Sequence, residues 1–273
     1  MGDNRRMMHA VRSIAGTPTV VEVPEPAGDW PLLDVGSASI CGSDLELLSW
    51  GLPVTIGHEV AGTVDGRPFC VEPTVGCGDC DQCRAGAPQR CRGTAAHGLL
   101  GVSFDGGLAD RVRVPAECLV PLPDGLRVAD ACLVEPLAVS WHGLRKVSAA
   151  PGERVLVVGG GSVGLLAVAA ARAMGLEVDL EARHPHQKSA GERLGAGSPH
   201  GEYDIVVEAV RSAVVQRPAD VAEWLVKACK ARKGVGGGRG PMTDAEREAI
   251  AAQTSAEAAK KLGLGGKQVT IDV

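Results

Sequence analysis

An α/β second half built on a doubly wound parallel sheet, behind a first half organised by metal ligands, is predicted by three observations. Residues 154–175 read RVLVVGGGSVGLLAVAAARAMG: an apolar run, a glycine cluster, then a helical pattern. Residues 76–91 read GCGDCDQCRAGAPQRC and hold four of the nine cysteines. The 273 residues suffice for two cores, and the 45% hydrophobic content comes from Ala, Val and Leu rather than from aromatic residues.

Charge and composition exclude several classes. With 28 Lys+Arg against 33 Asp+Glu there is no basic footprint for a polyanion, so a nucleic-acid partner is not expected. No apolar run approaches the ~18 residues that span a bilayer, and MGDNRRMMHAV lacks the apolar core of a signal peptide, so a cytoplasmic chain without a membrane partner is expected. In that reducing compartment the cysteines are buried thiols or metal thiolates, not disulfides.

The clustered cysteines follow C-x2-C-x2-C-x7-C: Cys77, Cys80, Cys83 and Cys91. Short spacings let successive thiolates reach one ion, and Gly76, Gly78 and Gly86 permit the turns. Four soft donors select zinc or an iron–sulfur centre, and zinc is favoured because the bacterial cluster spacing, x3 before a last Cys followed by Pro, is absent. Such a site has no open position, so it holds a loop in shape and does no chemistry.

Further candidate ligands lie apart: CGSD at residues 41–44, GHEVAG at 57–62 and LVEPLAV at 133–139. A lone Cys or His is more often core than ligand. Yet CGSDLEL, GHEVAGTV, the cysteine lobe, DGGLADRVRVP, LVPLPDGL and LVEPLAVSWHGL follow one another in an order that resembles zinc-containing alcohol, polyol and sugar dehydrogenases of the medium-chain dehydrogenase/reductase superfamily. With the glycine-rich segment included, the resemblance covers residues 7–210. It implies a GroES-like β-barrel catalytic domain over residues 1–147, a Rossmann-type NAD(P)-binding domain over 148–240, and two zinc ions per chain. The implied reaction interconverts an alcohol, polyol or sugar hydroxyl and its carbonyl by hydride transfer.

The resemblance also implies roles. Cys41 and His58 bind the catalytic zinc. Glu135 stands where classical alcohol dehydrogenases place a second cysteine and, as in the sugar and polyol branch, ligates the zinc directly or through water; Glu59 moves in and out of the metal shell, Asp44 fixes the imidazole, and Ser43 takes the substrate proton. Three protein ligands leave a fourth position for a substrate oxygen. Glu46 occupies the place of a relay histidine; it could perform the relay or be a solvated surface residue.

In the second half, Gly159, Gly161 and Gly164 satisfy G-x-G-x-x-G between a strand and a helix. The first makes the turn, the second admits a pyrophosphate, and the third lets helix and strand pack; amides of Ser162 and Val163 then face the phosphates. The next strand reads EVDLEARHPH and places Ala182, then Arg183 and His184, where an acidic residue would bind the adenosine ribose. NADP is therefore favoured, with Glu181 one residue away keeping NAD as the alternative.

PHQKSAGERLGA (185–196) reads as a helix and YDIVVEAV (203–210) as a parallel strand. Beyond residue 211 the resemblance stops. An amphipathic helix is expected over 221–229, a second after the capping box of Thr243 and Glu246, and a strand in KQVTIDV, making 241–273 an atypical tail. Superfamily members usually run past 300 residues, which raises a second expectation: a shortened relative that binds zinc and nucleotide without turnover. A homo-oligomer remains open, because the strand edge through which relatives pair is not evident.

Overall fold

The computed structural model describes residues 5–93 and 98–209 and the backbone of strand 267–270. The chain divides into two compact units, Met1–Glu135 and Pro136–Val273.

The first unit opens with an antiparallel hairpin, β1 (Met7–Ile14) and β2 (Thr17–Pro24), whose Met8, Ala10 and Val23 share a small core. Its main sheet uses β3 (Leu32–Ser39), β4 (Glu59–Val64), β5 (Arg67–Val71), β8 (Arg111–Arg113) and β9 (Leu119–Pro121) in the order β8-β3-β4-β5-β9, with every pairing antiparallel. Between β4 and β5, Asp65 and Gly66 both take positive φ (50° and 75°), the two-residue turn whose twist matches a right-twisted hairpin. Leu33, Val60, Val71, Leu100, Val112 and Val114 fill the core, each burial contributing about 1.5–3 kcal/mol. Helix α1 (Gly42–Trp50) lies between β3 and β4 in the chain. The two-stranded pair β6 (Thr74–Val75) and β7 (Gly98–Leu99) flanks the cysteine lobe in sequence, and α2 (Asp81–Arg84) lies within the lobe.

Helix α3 (Val134–Lys146) starts in the last two residues of the first unit and continues in the second, which goes on with β10 (Arg154–Val158), α4 (Ser162–Ala173), β11 (Glu177–Glu181), α5 (Pro185–Arg193), β12 (Ile205–Glu208) and β13 (Lys267–Thr270). The sheet is parallel, in the order β11-β10-β12-β13. Val155, Leu156, Val157 and Val158 are at most 1% exposed, because a central parallel strand is covered on both faces. Helix α4 covers it with the small residues Ala167, Ala170 and Ala171.

The sequence expectation kept α3 in the first domain, up to residue 147. In the structure Leu144 of α3 is fully buried in the second core, with Val155 and Val163, and the compact units divide at 135/136. The strand expected at the carboxyl end occurs as β13, and its partner is β12. The helices expected over 221–229 and after Thr243 lie outside the described residues.

In the second unit a polar network ties three segments together. Asp179, 6% exposed in the middle of β11, accepts from Tyr203 Oη (2.8 Å) and from Arg154 (3.2 Å), and His200 Nδ1 lies 3.1 Å away. The Arg154 guanidinium also stacks over the Tyr203 ring at 4.8 Å. Among the described residues, no helix is long and apolar enough to cross a membrane.

Candidate metal centres and nucleotide loop

The four sulfurs of Cys77, Cys80, Cys83 and Cys91 lie within 4.8 Å of one another, with Cys77–Cys83 and Cys80–Cys91 both at 4.0 Å. A tetrahedron with zinc–sulfur distances of about 2.3 Å has edges of about 3.8 Å, so the lobe fits a zinc ion. Backbone amides point at the sulfurs: Cys77 N to Cys91 Sγ (3.3 Å), Cys80 N to Cys77 Sγ (3.4 Å) and Cys83 N to Cys80 Sγ (3.4 Å). Donors of this kind favour thiolate. The backbone amides of Arg92 and Cys83 bring Cys80 down to about 6, and that of Cys77 lowers Cys91, whereas burial and its sulfur neighbours push Cys83 up to about 12. Adjacent thiolates repel, and a dication removes the conflict. The lobe closes so tightly that a Cβ at Gly93 would lie 2.9 Å from Cys77 Sγ, and one at Gly76 would lie 2.7 Å from Cys83 Sγ.

A second group unites Cys41, His58 and Glu59, whose ligand atoms also lie within 4.8 Å of one another. Local sequence explains the placement. Cys41 is the N-cap of α1, and Asp44, three residues on, accepts from Cys41 N through Oδ2 at 2.9 Å. The same carboxylate, fully buried, turns Oδ1 toward His58 Nδ1 at 3.4 Å. That is ion-pair distance rather than a hydrogen bond, and both atoms are otherwise buried without a partner. Burial alone would lower the His58 imidazole, but its close polar neighbours Asp44 and Cys41 outweigh it and bring it up to about 10. Thiolate, imidazole and carboxylate are donors that zinc accepts.

Glu135 is not in this donor group. It is half-buried in the first turn of α3; burial raises its carboxyl, the nearby His58 charge opposes this, and Glu59 adds to it. Of the two glutamates named from the sequence, Glu59 joins Cys41 and His58, and Glu135 stands beside them. Ser43 is half-buried in the first turn of α1, and Glu46 is exposed. Sequence reasoning missed Ser39, whose hydroxyl donates to Glu59 Oε2; the only signal is the pairing of the two residues across β3 and β4.

In the second unit the three motif glycines differ in their surroundings. Gly159 takes φ 112° directly after β10. A Cβ at Gly161, the N-cap of α4, would meet nothing within 4 Å, so the backbone there is open to approach. A Cβ at Gly164 would lie 1.8 Å from the Gly159 carbonyl oxygen. Ser162 and Val163 form the first turn of α4. Gly160, absent from the sequence reading, abuts Ala182, whose Cβ would be 2.7 Å from one at Gly160. Ala182 is buried, Arg183 and His184 are exposed, and the His184 ring stacks on His186 at 5.5 Å. Glu181 Oε1 pairs with Lys188 Nζ at 3.3 Å.

Residues 27–124 match the alcohol dehydrogenase GroES-like domain. L-galactonate-5-dehydrogenase of Escherichia coli K12 is 34% identical over 185 residues, 61% of this chain and 53% of that protein. Sorbitol dehydrogenase of Bacillus subtilis 168 is 32% identical over 213 residues, 70% of this chain and 58% of that protein. The chain thus spans little more than half the length of these curated relatives. A Sinorhizobium meliloti 1021 protein described as a zinc-binding dehydrogenase, with NADP bound, superposes with a TM-score of 0.73 at 27% identity, covering 98% of this chain and 85% of that one. A GroES-like antiparallel sheet followed by a Rossmann-type parallel sheet is the shared architecture. Over residues 27–124 in sequence, and over nearly the whole chain in fold, the chain is similar to zinc-containing medium-chain dehydrogenases.

Proposed function

We propose that the chain is a zinc-dependent, NAD(P)(H)-linked oxidoreductase that interconverts a hydroxyl of an alcohol, polyol or sugar-derived substrate and the corresponding carbonyl. The observation that carries this reading is the gathering of Cys41, His58 and Glu59 beside the buried Asp44, separate from a four-sulfur lobe that is already a complete ligand set. Three donors leave room for a substrate oxygen, as a site with four protein ligands does not.

Cys41, His58 and Glu59 would hold the catalytic zinc, with Glu135 as a further carboxylate beside it, and the four cysteines the second zinc. Asp44 would orient the imidazole, and Ser43 would carry the hydroxyl proton away. Zinc, when bound, would polarise the substrate oxygen while the nicotinamide exchanges a hydride with the substrate carbon. The amides of Ser162 and Val163 would face the pyrophosphate across the open backbone of Gly161. NADP preference is supported by the buried methyl of Ala182, the exposed Arg183 and His184, and the engagement of Glu181 by Lys188. The substrate class follows the relatives, which are named for galactonate and sorbitol.

Turnover on a panel of polyols and sugar acids, with NADP and NAD and with Cys41→Ser as control, tests the reading. Activity that needs Cys41 is expected, whereas activity unaffected by the substitution contradicts the zinc role. Binding of zinc and NADPH without turnover would favour the non-catalytic relative instead. Quenching titrations with NADPH and NADH test the cofactor preference; equal affinity removes it.

A further inference from the structure

We propose that Ser39 is a positioning residue of the Cys41 centre: its hydroxyl holds one carboxylate oxygen of Glu59 and confines that side chain to a single metal-facing oxygen. The inference rests on the metal reading above and adds a residue to it. Ser39 closes β3 and Glu59 opens β4, and the antiparallel register sets the two directly opposite each other. Side chains of directly opposed residues lie within reach, and here Ser39 Oγ donates to Glu59 Oε2. Glu59 is 2% exposed, so its carboxylate must find partners inside the protein. The serine supplies one for Oε2; a carboxylate oxygen of Glu59 also lies within 4.8 Å of the ligand atoms of Cys41 and His58, and the proposal assigns that contact to Oε1.

The consequence concerns coordination number. A carboxylate can bind a cation through one oxygen or through both. If Glu59 used both, it would take the position that a substrate oxygen needs, in a site where Glu135 already stands close by. With Oε2 held by the serine, Glu59 contributes one bond and the remaining position stays available. Partners of ligating side chains commonly tune metal affinity about 10- to 100-fold.

Cobalt(II) reports both quantities without turnover, because its d–d bands weaken as coordination rises from four to five. The metal-stripped full chain is titrated with cobalt(II), and the signal belonging to this centre is taken as the difference from the Cys41→Ser chain. Ser39→Ala is expected to weaken the Cys41-dependent site about 10- to 100-fold and to lower its d–d intensity. Ser39→Thr, which keeps the hydroxyl, should bind and absorb as the parent does, with the thermal midpoints of all three chains compared as a check on folding. If Ser39→Ala does not fold, Ser39→Thr still decides: parent-like bands support the inference, and Ala-like loss of affinity in a folded Thr chain overturns it. Unchanged affinity and unchanged bands in a folded Ser39→Ala chain overturn it as well. Absence of any Cys41-dependent signal in the parent would instead overturn the metal reading, and the inference with it.

Discussion

Asp44 links two otherwise separate events, since one of its oxygens caps the helix that begins beside Cys41 and the other faces the imidazole of His58. Replacing it with Asn preserves shape and removes charge. Asp44→Asn should lower zinc affinity at the Cys41 centre about 10- to 100-fold, read by competition with a chromogenic chelator, while the four-cysteine site holds its metal unchanged. A second residue can be followed by spectroscopy alone. Tyr203 is the sole tyrosine of the chain, and burial, together with its hydrogen bond to Asp179, raises it to about 12. An absorbance titration at 295 nm should therefore show one transition near 12 in the folded protein and one near 10 in denaturant. Because the folded state keeps this proton to higher pH than the unfolded state does, stability should fall as pH rises from about 10 towards about 12, and Tyr203→Phe should reduce that slope, to which the buried Cys118 thiol, also raised to about 12, contributes.

Residues differed in how visible they were beforehand. Cys41, His58 and the four clustered cysteines stand in short motifs, where spacing and neighbours carry the information. The carboxylate was harder to place: the resemblance implied Glu135 as the third ligand and Glu59 as one that moves in and out, whereas in the structure it is Glu59 that lies with Cys41 and His58. Ser39 carried no signal, because a hydroxyl two residues before a cysteine becomes meaningful only when strand register sets it against Glu59. Asp179 was likewise invisible, since its partners come from two other segments, Arg154 from β10 and His200 and Tyr203 from the stretch before β12.

At the scale of elements, the turn from β10 into α4 separates packing from binding. Gly164 has no room for a methyl group, and Gly161 has ample room. Gly164→Ala should destabilise the second unit by at least about 1–3 kcal/mol in chemical denaturation, through overpacking against the Gly159 carbonyl. Gly161→Ala should leave the denaturation midpoint unchanged and weaken NADPH binding, because the added methyl projects into the space a pyrophosphate would use. Equal losses of stability in both variants would refute this division. The strand–glycine–helix pattern made the element legible in advance, since each glycine has a steric reason at a fixed offset. Helix α3 was less legible: its residues follow the first-domain motifs in sequence, but its apolar side, with Leu144, is buried in the second core. Periodicity shows that a face is buried and leaves its partner unspecified.

For the molecule as a whole, two cores and two proposed metal centres lead to a separable response to chelation. Both clusters of metal donors lie in the first unit, and the parallel sheet of the second has its own apolar core. Chelation should loosen residues 76–93 and the ends of β3 and β4, seen as faster amide exchange, while β10 and β12 keep their protection. Uniform loss of protection in both units would argue against independent cores.

The metal content of the purified full chain, measured by mass spectrometry beside that of Cys41→Ser, tests the central claim most directly. Two zinc ions per chain are predicted for the parent and one for the variant. A single ion in the parent would mean that Cys41, His58 and Glu59 hold no metal, and the same content in both chains would mean that Cys41 is no ligand; either result would contradict the account.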